Sequence, residues 1–309
     1  MSAFLTTLIW VAIMLAYAVP GFLVVKTKMV KATAIPAFAT VLMYVCQPGL
    51  TLYSFNLADY TPQLLKNMGI FFGIVTALQI AFLMFFYLLW KKKFDDVKYR
   101  IGSVATVLTN CSFFGVPILQ ALFPDNQNVA VYSMMYFLSM SLIGWTLASF
   151  IISGDRKYIS IKKILINPAT LSIAVALPLF LTSTKLPAEI ADMATVLGKM
   201  TTPMCMLVMG MRLATLKIKP IFTDGMQYLT VFINQVIFPL TAFAIVWFMP
   251  VDSELKQCLY VMCCCPVASV VLNYAEILGQ GQERAANTLL LGTILSIVTL
   301  PVLVLLMNV

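Results

Sequence analysis

Two long uncharged runs in this chain each carry a proline near the middle. One extends from Ile101 to Phe123 and contains Thr109-Asn110-Cys111-Ser112-Phe113-Phe114-Gly115-Val116-Pro117. The other extends from Gln257 to Ala275 and contains Cys263-Cys264-Cys265-Pro266-Val267-Ala268-Ser269. Each is long enough to cross a bilayer, which takes about 20 residues at roughly 1.5 Å apiece. Proline removes a backbone donor, and its ring clashes with the carbonyl four residues earlier, here Phe113 and Met262. Backbone groups released inside hydrocarbon must be met by protein or by a water-filled cavity. A matched pair of interrupted membrane helices, one per half of the chain, is the sequence mark of a transporter's binding site.

Composition supports the membrane reading. Of the residues, 61% are hydrophobic and only 10% are charged, against about 25% charged in soluble domains. The longest polar stretch, Trp90 to Arg100, is too short to fold by itself. Met1 to Trp10 is apolar from the start and lacks a basic leader region, so it is expected to begin a first membrane helix rather than a cleaved signal. The net charge of +8 does not point to nucleic acid, because the basic residues flank apolar segments. There they set orientation and meet anionic lipid headgroups. Six of the 7 cysteines lie within apolar segments. With no histidine in the chain, they read as small packing residues rather than metal ligands, and no cofactor is implied.

The apolar pattern predicts an all-α membrane protein of ten helices, near 3–25, 33–55, 67–90, 101–123, 128–152, 166–184, 190–214, 221–249, 257–277 and 285–307. Short loops hold most of the charge. All but four of the 20 basic residues fall in alternate loops, the exceptions being Lys66, Lys185, Lys199 and Lys256. The positive-inside rule makes that basic side cytoplasmic and places both termini outside. Interruptions in the fourth and ninth helices predict two five-helix repeats, residues 1–152 and 166–309. An odd number of helices per repeat inverts the second copy. Pro48 and Pro203 stand almost as far apart as Pro117 and Pro266, which echoes the repeat.

If the interrupted helices cross near the midplane, their breaks face one another. Pro117 and Pro266 are each expected to open a second half-helix, since proline suits the first helical position. Two helix N-termini at one point offer unpaired N–H groups and partial positive charge, an anion site without a buried Arg or Lys. Gly115 is expected to let the backbone turn and a ligand approach closely. Asn110, Cys111 and Ser112 precede the first break. Cys265 lies at the second, with Ser269 and Asn273 after it. A buried amide needs a partner, so Asn110 bonds either a neighbouring helix or a ligand, and its place beside a break points to a ligand. Gln47, next to Pro48, is expected to border the site. Glu276 closes the ninth helix; it can carry a coupling proton, but an interfacial carboxylate needs no such role. Trp145 lies deeper than the other tryptophans and can pack inside the bundle.

These residues resemble the auxin efflux carrier family, whose bacterial members are described as malate or malonate permeases. Asn110 to Leu119 is similar to that family's Asn-(x)4-Gly-(Ile/Val)-Pro-Leu/Ile-Leu motif. Ile166-Asn167-Pro168 resembles the Asn-Pro pair opening its sixth helix, and Met209-Gly210-Met211-Arg212 resembles the end of its seventh. Cys265-Pro266-Val267-Ala268 with Tyr274-Ala275-Glu276 resembles its ninth. The resemblance runs the full length in order. It implies a bile-acid or sodium–proton transporter-like architecture. A scaffold of helices 1, 2, 6 and 7 would carry a transport domain of helices 3–5 and 8–10, dimerised through the scaffold and moving like an elevator. It also implies that Asn110 contacts a substrate carboxylate and that Pro117 and Pro266 mark the crossing. The loop Ser153 to Leu165 is short, which favours the shorter bacterial-type members over the plant carriers, and Thr146 replaces a tyrosine frequent after Trp145, so the family's substrate specificity does not carry over. The expected function is therefore transport of a small organic anion across a bacterial inner membrane, by uniport or with H⁺ or Na⁺ coupling. A sodium-coupled symporter of the bile-acid type is the alternative. An enzyme would need a histidine, paired acids or a metal cluster, and a receptor would need an output domain; neither pattern is present.

Overall fold

A computed structural model describes residues 2–158, 166–216 and 218–308. Lys162, Lys163, Lys217 and most of the loop Ser153 to Leu165 lie outside the described residues. Among the described residues every regular element is helical, apart from one isolated antiparallel bridge. In chain order the main helices are α1 (Ala3–Lys26), α2 (Ala32–Leu57), α3 (Pro62–Trp90), α4 (Val97–Ala105), α5 (Cys111–Leu122), α6 (Val129–Ser153) and α7 (Pro168–Leu181). They continue as α8 (Ala188–Leu213), α9 (Ile218–Thr223), α10 (Gly225–Val246), α11 (Ser253–Cys264), α12 (Ser269–Leu278) and α13 (Gln282–Val304). Among the described residues 6 helices are long and apolar enough to cross a membrane: α1, α2, α3, α6, α10 and α13.

Boundaries differ from expectation where capping overrides hydropathy. Helix α3 starts at Pro62 rather than residue 67, because Thr61 accepts a hydrogen bond from Leu64 N–H at 3.0 Å and proline sets the first turn. Lys66 then lies inside the helix. Helix α10 starts at Gly225 rather than residue 221. Asp224 caps it by accepting from Met226 N–H at 2.9 Å, which separates it from the short α9. The run 101–123 divides into α4 and α5, and 257–277 into α11 and α12.

Several helices contain a widened π turn. Those at Leu42–Cys46, Cys111–Gly115 and Ile233–Ile237 each end two residues before a proline, at Pro48, Pro117 and Pro239. A longer turn moves the preceding carbonyls away from the pyrrolidine ring, so the helix continues where an α turn would clash.

Packing falls into two groups. Helix α1 lies along α8, α8 along α2, and α2 along α7. Separately, α3 packs on α6, α10 on α11, and α13 on α10 and α12. Helix α1 also touches α13 and α5, joining the groups. Small residues set the closest approach. A Cβ on Gly210 would lie 1.9 Å from the Ala18 carbonyl oxygen, and one on Gly21 would lie 2.0 Å from that of Leu207. The backbones of α1 and α8 therefore meet directly.

Gly210→Ala is expected to lower stability by about 2–3 kcal/mol, because the obstacle is backbone and cannot rotate away. Gly69→Ala, with open space around it, should be neutral or slightly stabilising. Thermal unfolding in detergent compares the two, and equal melting points would refute the close crossing. A second expectation concerns Asp224, whose carboxyl is held below its ordinary 3.8 chiefly by hydrogen bonding to Arg284. The folded protein binds this proton less readily than the unfolded chain. The contribution is thus complete above 3.8 and is lost as pH falls through the lower folded value. Asp224→Asn should be less stable at neutral pH and should show a shallower acid loss, measured as melting temperature against pH.

Candidate functional site

The two interruptions meet. Residues 106–110 leave helical geometry between α4 and α5, and residues 265–268 do so between α11 and α12. The segments pair antiparallel through the bridge between Thr109 and Val267. Asn110 N–H donates to the Pro266 carbonyl at 2.7 Å, and Ala268 N–H donates to that of Leu108 at 2.8 Å. Each break thereby meets the other's backbone needs, as a buried irregular segment requires.

The carbonyls exposed by proline are also satisfied. Phe113 O accepts from Thr202 Oγ1 on α8 at 2.7 Å, and Met262 O accepts from Thr109 Oγ1 at 2.8 Å. Thr109 Oγ1 also lies 2.9 Å from Tyr136 Oη on α6. A hydroxyl has one proton, so with Thr109 donating to Met262, Tyr136 donates to Thr109. On the same side Thr76 and Ser139 hydroxyls are 2.8 Å apart, and Ser139 donates to Gln79 Oε1 at 2.8 Å.

The prolines do not open the half-helices. Helix α5 begins at Cys111, six residues before Pro117. Helix α12 begins at Ser269, three residues after Pro266, which lies in the extended crossing segment. The π turn lets α5 pass through Pro117, and pairing with Asn110 keeps Pro266 extended. Gly115 likewise departs from expectation. Its backbone is helical (φ −70), and a Cβ there would meet Met262 Cε at 2.5 Å. Its smallness seats Met262 of α11 rather than a turn or a ligand.

Both new N-termini face one small cavity of about 50 Å³ lined by Asn110, Ser112, Phe113, Ala268, Ser269 and Val270. Neither helix has a side-chain cap. Helix geometry leaves first-turn N–H groups without intrahelical partners, and their partial positive charge favours an anion. Gln47 lines the same cavity and is 2% exposed. Neither its amide nitrogen nor its amide oxygen has a hydrogen-bond partner. Unpaired buried amides are costly, so a polar group arriving in this cavity has a waiting partner.

The small cavity shares Met43, Phe137, Met140, Asn167, Pro168, Val270 and Asn273 with a vestibule of about 540 Å³, which also touches Tyr44, Trp145, Tyr274 and Ile277. Trp145 and Tyr274 pack edge to face at 5.0 Å. Gly144 makes room for Tyr274, whose Oη would lie 2.0 Å from a Cβ there. Asn273 Nδ2 approaches Met43 Sδ at 3.4 Å. A third recess, about 30 Å³, lies between Asn110, Ser269, Asn273, Cys205, Met209 and Arg212.

Of the residues singled out in the sequence, Gln47, Asn110, Ser112, Ser269 and Asn273 are brought together on these walls. Cys111, Gly115, Pro117, Cys265 and Pro266 are not wall residues. Cys111 and Cys265 are fully buried, Cys265 donating to Val261 O at 3.4 Å. Glu276 is paired with Arg212 through two contacts, 2.5 and 3.1 Å. Sequence reasoning missed Met43, Phe137, Met140 and Cys205, whose types look the same on a wall as against lipid. It read Asn167-Pro168 as a helix start alone, and a polar residue before a proline was the available signal.

Thr109→Val should leave Met262 O and Tyr136 Oη without their partner, at about 1–3 kcal/mol. The expected result is a lower melting temperature with the protein still monodisperse, whereas Thr109→Ser should retain most of the stability. Equal melting points for Thr109→Val and wild type would show that the hydroxyl does not hold the crossing.

No curated protein matches the chain. A sequence model described as membrane transport protein matches residues 6–304. The span takes in both halves of the crossing and nearly every helix described above, and the chain therefore belongs to the membrane transport protein family, that of the auxin efflux carriers.

Proposed function

We propose that this integral membrane transporter carries small organic anions, carboxylates such as malate, malonate or an auxin-like acid, by alternating access. One observation carries the reading: two helix N-termini, uncapped by side chains, converge on a cavity beside the unpartnered amide of Gln47. Such an arrangement binds a carboxylate through N–H groups and dipoles and needs no fixed countercharge. In this reading Asn110, Ser112, Ser269 and Gln47 hold the carboxylate, and Asn273 borders the path. The vestibule walls are mainly Met, Phe, Trp, Tyr, Val and Ile, so an acid with an apolar body fits better than a fully hydroxylated one.

The architecture belongs to the same proposal. Ten helices form two inverted five-helix repeats, an arrangement supported by the antiparallel crossing of the two breaks. The group α1, α2, α7 and α8 acts as scaffold, with a homodimer formed through it. The remaining helices move as an elevator. The vestibule follows α12 toward Ile277 and the start of α7, the side of the basic loops, which corresponds to an inward-facing state with both termini outside. The proposed location is a bacterial inner membrane. Glu276 is the residue through which a proton could couple, by release from Arg212.

Uptake of labelled malate, malonate and indole-3-acetate into proteoliposomes, at set pH and voltage and with or without sodium, tests this. Wild type should show saturable uptake of at least one acid. Asn110→Ala and Gln47→Leu should each reduce it about tenfold or more, the loss expected for one or two hydrogen bonds to a charged group. If no acid moves while the protein stays folded, the substrate class is wrong. Full activity in both variants would remove the crossing cavity as the site, and strict sodium dependence would favour the bile-acid-type symporter.

A further inference from the structure

Helix α8 turns one face toward the broken helices. Thr202 donates to Phe113 O, and Cys205, Met209 and Arg212 line the recess beside Asn110 and Ser269. These positions recur at helical spacing, and Lys199, three residues before Thr202, continues the stripe in the other direction. The sequence reading places Lys199 inside its seventh helix, 190–214, as one of four basic residues outside the alternating basic loops. The structure puts it eleven residues inside α8, which starts at Ala188. At roughly 1.5 Å per residue that is about 16 Å along the helix, and about 10 Å beyond Asp192, the last acidic residue at its N-terminal end.

A cation at that depth is expensive unless it meets water, a partner or a ligand. Lys199 is exposed. Its ammonium stands 5.9 Å from the centroid of the Tyr53 ring, a contact of modest strength. Tyr53 Oη in turn accepts from Gln120 Nε2 at 3.4 Å. The ion pairs among the described residues engage Lys98, Lys157, Lys185, Arg212 and Arg284, not Lys199. Tyr53 belongs to α2 and Gln120 to α5, so Lys199 lies at the seam where α2, α8 and α5 converge. Tyr53 is six residues beyond Gln47, and Gln120 is ten beyond Asn110. Both displacements lead away from the crossing on the side opposite Arg212 and the vestibule.

We propose that Lys199 is a carboxylate-binding residue of the opposite access state, drawing the anion to the crossing cavity when that cavity opens on the Lys199 side. The inference rests on the organic-anion reading above and adds a charged residue that acts from one side of the membrane. A lone cation in a low-dielectric mouth raises the local anion concentration. The Tyr53 ring lies beside the ammonium without neutralising it. Lys199 does not line the vestibule of this structure.

The test is transport of the acid that wild type carries, in right-side-out and inside-out vesicles. Lys199→Met should raise KM about tenfold for anion added on the Lys199 side, the loss expected for one charge-assisted contact. KM from the other side should stay within about twofold. Lys199→Arg should retain most of the affinity. Lys199→Cys treated with an aminoethylating thiosulfonate should regain it, and a sulfonatoethyl reagent should not restore it. These last two variants decide the matter if Lys199→Met fails to fold. An unchanged KM on both sides, an equal rise on both sides, or no recovery on restoring the ammonium would overturn the role of Lys199 alone. Absence of carboxylate uptake by the wild type would overturn the underlying reading and this inference with it.

Discussion

The candidate site depends on a short backbone contact between two segments that are not helical. Asn110 donates to Pro266, and Ala268 donates to Leu108. In lipid a chain cannot leave helical geometry without stranding donors and acceptors. Here each break is the other's partner, so neither is tolerable alone. The pairing also aims the following helices. Because the segments run antiparallel, α5 and α12 start on either side of one contact and present their first turns to one cavity. The convergence of the two helix N-termini is thus a consequence of how the breaks are satisfied, not a separate feature added to them.

The support around this contact explains why it stays in register. Thr202 and Thr109 each cap a carbonyl that proline would have left bare, and Tyr136 caps Thr109 in turn. The two caps differ in kind. Thr109 and Met262 both belong to the broken helices and can move as a unit. Thr202 sits on α8, which packs with α1 and α2. Any movement of the crossing past α8 breaks the Thr202 bond and must supply Phe113 O with another partner or water. The same applies to the Arg212–Glu276 pair, which also joins α8 to α12. Both links favour the present arrangement over one displaced along α8.

Much of this was legible in the sequence, and the omissions have physical causes. Proline in an uncharged run pointed to both breaks, and the polar residues beside them, Asn110, Ser112, Ser269 and Asn273, are found on the cavity wall. The position of the first break was misjudged because the sequence shows the proline but not the remedy. A π turn let the helix run through Pro117, so the break ends at Asn110, seven residues before that proline, where Thr109 and Asn110 find partners across the crossing. Gly115 looked like a hinge and is a seat for Met262, a distinction set by a residue far away in sequence. Helix α3 started early because Thr61-Pro62 is a stronger signal than the charge of Lys66. Met43, Phe137 and Met140 carry no mark separating a cavity wall from a lipid-facing surface.

The electrostatics of the site suit a carrier better than a trap. Its cavity walls hold amides, hydroxyls and helix ends, and the one charged side chain lining the adjoining recess, Arg212, is held by Glu276. A helix N-terminus offers about half a charge, already oriented and already desolvated. An unpaired guanidinium in the same place would hold a carboxylate more tightly, and it would leave a stranded charge each time the ligand departed. Passage requires binding strong enough to enter and weak enough to leave. For the anion carrier proposed above, partial charges at the crossing meet that requirement, and the nearest full charge, Arg212, is already paired and leaves nothing stranded.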